Sequence, residues 1–128
     1  LGHIYMFGLA LLCSPIQALC EEILFRSFFY RALHNNKYVV GAISALFFTL
    51  AHSFNTEFSI ENSFIPVLAY YALSGFFFVL LVYRYKGIEV ALGAHIMNNF
   101  YIATIMNYKD SSIISNPVWI IEKTNIYF

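Results

Sequence analysis

CEEILFR, residues Cys20 to Arg26, sets two adjacent carboxylates and an arginine between apolar residues and the following Ser27-Phe28-Phe29-Tyr30. The whole chain of 128 residues holds only seven acidic and seven basic side chains, so this cluster is conspicuous. Leu1–Leu19 is apolar enough to cross a bilayer, which takes about 20 mostly apolar residues, and its helical pattern runs on through Tyr30. The surroundings of the cluster therefore decide how it is read. It is either the place where a helix leaves lipid or a set of ionisable groups kept inside.

Composition favours a membrane setting. Hydrophobic residues make up 60% of the chain and aromatic ones 20%, against 11% charged, with a mean hydropathy of +0.68. Soluble domains carry about a quarter charged residues, and a soluble fold of this composition would expose large apolar patches. The formal net charge is zero, which gives no support to nucleic acid as a partner. Cys13 and Cys20, seven residues apart, would lie about 10 Å apart along a helix, too far for a disulfide. They read as apolar packing residues. The chain starts at Leu1 inside an apolar run, without a basic flank, which argues against a cleaved signal peptide. It leaves room for helices before it.

The expected fold is all-α, a polytopic bundle of four membrane-spanning helices forming a single domain over 1–128. The spans are Leu1–Leu19 with its extension, the shorter Val39–Phe54, Phe64–Tyr83 and Ile88–Met106. The tail after Asn107, with Asn116-Pro117, reads as an interfacial extension. Arg31 and Lys37 flank the first connection and Arg84 and Lys86 fill the third. The second carries Glu57 and Glu61 without Lys or Arg. The positive-inside rule then puts the first and third connections in the cytoplasm. Tyr30, Tyr38, Tyr83 and Tyr85 stand beside those basic residues as an aromatic belt would.

Ionisable groups deep in a bilayer cost roughly 2.5–3.5 kcal/mol on insertion scales and commonly mark function. The candidates are Glu21, Glu22 and Arg26 on the first helix, His52 at the end of the second, and His95, Asn98 and Asn99 on the fourth. Glu22 and Arg26 are one turn apart with the acid first, the order that pairs well on a helix. Glu21 lies about 100° around and lacks that partner. His95 and Asn99 share a face, as do Phe48 and His52. Taken singly, each glutamate could mark a helix exit, His52 could be interfacial, and His95 could make an interhelical hydrogen bond. His3 and His34 read as interfacial or loop residues, the tyrosines and phenylalanines as packing or lipid-facing, and Gly41 with Ala45 as a small-residue packing pair. Depth links the clusters. Glu21 is about 15 Å from Arg31 and His95 about 13 Å from Lys86, but His52 is about 22 Å from Lys37.

Three motifs stand in order on three apolar helices: Glu21-Glu22-Ile-Leu-Phe-Arg26, Phe48-Thr-Leu-Ala-His52 and His95-Ile-Met-Asn-Asn99. Together they resemble the signature of the CaaX protease and bacteriocin-processing family of intramembrane endopeptidases, over about residues 13–106. The resemblance implies peptide-bond hydrolysis within the membrane, with Glu21 as the base that activates water and His52 assisting. His95 and Asn99 would donate to the oxyanion, and Glu22, Arg26 and Phe48 would support them. Substrates would be lipidated proteins of the CaaX type or leader and bacteriocin-type peptides, met in the lipid bilayer from a site facing the cytoplasm.

Members of that family have been described as metalloproteases, and Glu21, His52 and His95 are a set that could bind zinc. No short metal motif such as His-Glu-x-x-His occurs, and Asn99 suits an oxyanion better than a metal. The expected mechanism is therefore glutamate-dependent without an obligatory cofactor. Two other functions fit the residues less closely. One is a non-catalytic relative acting in bacteriocin self-immunity or partner binding, and the other is a transporter or channel fragment whose polar residues line an ion path.

Overall fold

In a computed structural model, the structure describes residues 2–33, 36–59, 63–109, 111–113 and 115–121. His34 and Glu61, read above as loop residues, lie outside the described residues. Helix α1 (Gly2–Glu22) continues through one π-helical turn (Ile23–Ser27) into α2 (Phe28–Leu33), a stretch of 32 residues. Then come α3 (Lys37–Ala51), a 3₁₀ turn at Thr56–Ser59, α4 (Phe64–Tyr85) and α5 (Glu89–Thr104). The expected four-helix, all-α architecture is present. Gly2–Leu33 and Phe64–Tyr85 are long and apolar enough to cross a membrane, and Lys37–Ala51 is apolar but shorter. α5 has 16 residues.

Local sequence explains the boundaries. Asn36 caps α3, its side chain accepting from the Tyr38 N–H at 2.9 Å, which occupies one orphan donor of the first turn. Pro66 sits in the first turn of α4, where a missing N–H costs nothing. α4 ends with Lys86 in the left-handed region at φ 58°, and Gly87 follows to turn the chain into α5. Pro15 lies inside α1 and removes one backbone donor there. The π turn falls on the charged motif itself. Such bulges recur at functional sites, and here the carbonyl of Phe25 accepts from the hydroxyl of Ser44 on α3.

Polarity is inverted relative to a water-soluble protein. Ile4, Leu12, Ile65 and Leu73 on the outer surface are 68–76% exposed, whereas Glu22, Arg26, Ser44, His95 and Asn99 are buried. That arrangement suits an apolar solvent, in which polar side chains must find partners inside. Both cysteines are free thiols on the exposed surface. Neither packs into the interior, so the packing role expected for them is corrected: the faces carrying them point outward.

α3 packs along α4, α1 along α5, and α4 meets α5 more loosely. The Gly41/Ala45 pair is where α3 and α4 touch. A Cβ built on Gly75 would sit 2.8 Å from Ala45 Cα, and one on Gly41 2.9 Å from the Phe76 ring. At the basic end, the rings of Tyr30 and Tyr83 meet at 4.8 Å, which brings the first and third connections together. At the other end the tail does more than extend along an interface. β1 (Met106–Tyr108) and β2 (Trp119–Ile121) form a short parallel pair with Met106 opposite Trp119. Val118 and Trp119 also donate to the carbonyls of Thr104 and Ile105. These bonds fold the segment back onto the bundle, and His3 Nδ1 donates to the Asn116 carbonyl at 2.8 Å.

Candidate active site

The π turn and the end of α1 place Glu22 and Arg26 with no solvent exposure at all. Arg26 Nη1 is 3.3 Å from Glu22 Oε1, the pair expected from the four-residue spacing. The guanidinium also lies between two rings, 4.2 Å from the centroid of Phe48 and 5.1 Å from that of Phe78. A cation held over aromatic faces gains from their quadrupoles, more so when desolvated. The Phe48 ring therefore covers Arg26.

Glu22 has a second partner that the sequence did not reveal. Its Oε1 accepts from His95 Nδ1 at 2.8 Å, across from α5. A carboxylate holding one ring nitrogen orients the imidazole and sets its tautomer, as second-shell carboxylates do for functional histidines. His95 Nε2 is thereby directed at Glu21, 3.5 Å from its Oε2. His52 caps the C-terminus of α3 and is fixed in a parallel way. Its Nδ1 donates to the Phe48 carbonyl at 2.7 Å, leaving Nε2 facing the same Glu21 oxygen at 3.8 Å. Its ring stacks on Tyr71, centroids 4.7 Å apart.

Glu21 is thus met from both sides. Oε1 accepts from Gln17 one turn back at 3.0 Å, whereas Oε2 is buried and makes no hydrogen bond. That oxygen lies between two imidazole Nε2 atoms, each more than a hydrogen-bond length away. The depth mismatch for His52 does not separate it from Glu21. Counting residues along an axis assumes parallel helices with a common starting height, and neither condition is required of a short helix between longer ones.

Glu21, His52, His95 and Asn99 all line one cavity of about 460 Å³, together with Phe48, Tyr71 and Phe78. Asn99 Oδ1 accepts from Asn98 Nδ2 at 3.3 Å, which leaves its own amino group as a donor. The structure therefore brings together the four residues singled out as chemical, and packs Glu22, Arg26 and Phe48 behind them. Among the described residues no group of three or more His, Cys, Asp or Glu side chains is arranged to hold a metal ion.

The cavity runs from Glu21 to Glu57, Ser63 and Ser111–Ile113, toward the second connection and the tail. Buried Glu57 accepts there from both the backbone N–H and the hydroxyl of Ser112, at 3.0 and 2.6 Å. Arg31, Lys37, Arg84 and Lys86 belong to the other end. Several lining residues carried little signal in the sequence. Tyr71 was one tyrosine in an apolar helix, yet its hydroxyl accepts from Asn55 at 2.7 Å. Gln17 could have been found, being a polar residue one turn before Glu21.

A sequence model described as type II CAAX prenyl endopeptidase Rce1-like matches residues 3–101. A protein of Bacillus subtilis (strain 168), the uncharacterized protein YyaK, is 30% identical over 111 residues, covering 84% of this chain and 36% of the relative. The chain thus spans about a third of the length of that relative. No solved structure gives a significant match.

Proposed function

The chain belongs to the type II CAAX prenyl endopeptidase Rce1-like family, and from that premise we propose that its cavity hydrolyses peptide bonds within the membrane, using a water activated by Glu21. One observation carries the proposal: Glu21 Oε2, buried and without a hydrogen bond, is flanked by two imidazole Nε2 atoms at 3.5 and 3.8 Å. A water at Oε2 gives its proton to the carboxylate as its oxygen attacks the scissile carbonyl carbon. Glu21 then returns that proton to the leaving amine. His52, with its Nδ1 proton committed to Phe48, offers an Nε2 lone pair that orients the water.

The carbonyl oxygen, now an oxyanion, takes hydrogen bonds from the Asn99 amino group and from His95. Donation from His95 Nε2 requires the doubly protonated ring, whose Nδ1–H is held by Glu22. Fixed donors in a water-poor pocket stabilise developing charge strongly.

The substrate is a peptide segment, lipidated or of the leader type, and the protein is a multi-pass membrane protein whose exposed apolar helices meet lipid. Water reaches Glu21 from the end formed by the second connection and the tail. Cleavage of prenylated and unprenylated peptides by the purified protein in liposomes, with and without a chelator, tests the proposal. Product is expected in both conditions. Absence of product with every peptide from a folded protein overturns the function, and loss of product only with chelator overturns the metal-free mechanism.

A further inference from the structure

Asn98 stands next to the motif asparagine on α5, at a position between His95 and Asn99 to which the third motif assigns no role. Both hydrogens of its amino group are used. One goes to the hydroxyl of Tyr70 on α4 at 2.8 Å, and the other to Asn99 Oδ1 at 3.3 Å. Tyr70, Asn98 and Asn99 all line the cavity. Asn99 is buried, and its neighbour's hydrogen bond is the contact that settles which end of its amide faces the pocket. With Oδ1 occupied, the amino group is the end left to donate.

We propose that Asn98 is a positioning residue, which together with the Tyr70 hydroxyl holds the Asn99 amide with its Nδ2–H group turned to the oxyanion. The inference rests on the oxyanion role given to Asn99 above. An amide free to flip would present Oδ1 to the oxyanion for part of the time, and two negative ends would repel. Asn98 prevents that flip from outside the reacting atoms. Tyr70 anchors Asn98 from a different helix, so the orientation of Asn99 depends on how α4 sits beside α5.

Kinetics of Asn98→Ala, Asn99→Ala, the double variant and Tyr70→Phe test the inference. Losing one oxyanion donor lowers kcat by about 10²–10³. Asn98→Ala is expected to lower kcat by about tenfold or more, with KM within about twofold of wild type, because the amide is misaligned without being lost. Tyr70→Phe, which deletes only a hydroxyl, should lower kcat by about threefold, the scale of one neutral hydrogen bond. It carries the test should Asn98→Ala fail to fold. The double variant should be no slower than Asn99→Ala, since a residue that acts through Asn99 has nothing left to act on. Unchanged kcat in Asn98→Ala, or effects that multiply in the double variant, overturns the inference while leaving Asn99 its role. Wild-type kcat in Asn99→Ala removes the oxyanion role and the inference together.

Discussion

Against α3, helix α4 presents Gly75, and the two backbones come so close that a single added Cβ would lie 2.8 Å from Ala45 Cα. Against α5, the same helix presents Tyr70, Ser74 and Phe78 across a cavity of about 460 Å³, spanned by the Asn98–Tyr70 hydrogen bond. One face of α4 is closed by small residues and the other is held open by large and polar ones. Without a hydrophobic drive between helices in lipid, close van der Waals contact between small residues supplies much of the association. The closed face can therefore act as the frame against which the open face is kept at a fixed width.

Arg26 joins the two faces, touching Phe48 of α3 and Phe78 of α4 and, through Glu22, His95 of α5. The largest effect is expected there. Arg26→Leu leaves Glu22 buried without its countercharge, a change that costs about 3–5 kcal/mol. A thermal unfolding midpoint in micelles equal to that of wild type would break the view that the two faces share one support.

Gly75→Ala and its neighbour Ser74→Ala contrast the faces directly. The first should destabilise by about 1–3 kcal/mol, because the extra methyl meets backbone and cannot be relieved by a rotamer change. The second faces the cavity and should leave stability within about 0.5 kcal/mol. Equal losses in the two variants would mean that α4 is packed alike on both sides.

The smallest effect is predicted for Cys13→Ala with Cys20→Ala, whose side chains lie on the exposed surface and should change stability by about 0.5 kcal/mol or less. That background sharpens the picture of a bundle with two distinct ends. Lys86→Cys and Ser112→Cys introduced into it should react with an impermeant thiol reagent from opposite faces of a liposome. Labelling of both from one face would contradict the multi-pass arrangement.

Helix number and the meeting of the three motifs were legible because they depend on patterns that lipid makes severe. A long apolar run has few fates, and an ionisable group within it must face inward. The Gly41/Ala45 contact was legible for a similar reason. The bond from His95 to Glu22 was not, because the two residues are far apart in sequence and the i,i+4 spacing already gave Glu22 a partner in Arg26. The stack of Tyr71 on His52 was equally hidden, since one tyrosine among ten carries no positional signal. The fold of the tail was not legible because it comes from backbone bonds to Thr104 and Ile105 and from the grip of Glu57 on Ser112. Neither is written in a hydropathy pattern.

The central claim is that Glu21 is the base of a hydrolytic centre shared by three helices, and Glu21→Gln tests it most directly. The amide keeps the size of the side chain but cannot take a proton from water. Peptide cleavage by the purified variant in liposomes should fall by about 10²–10⁴, with the helical signal and melting behaviour of the wild type retained. Cleavage at the wild-type rate by that folded variant would contradict the account.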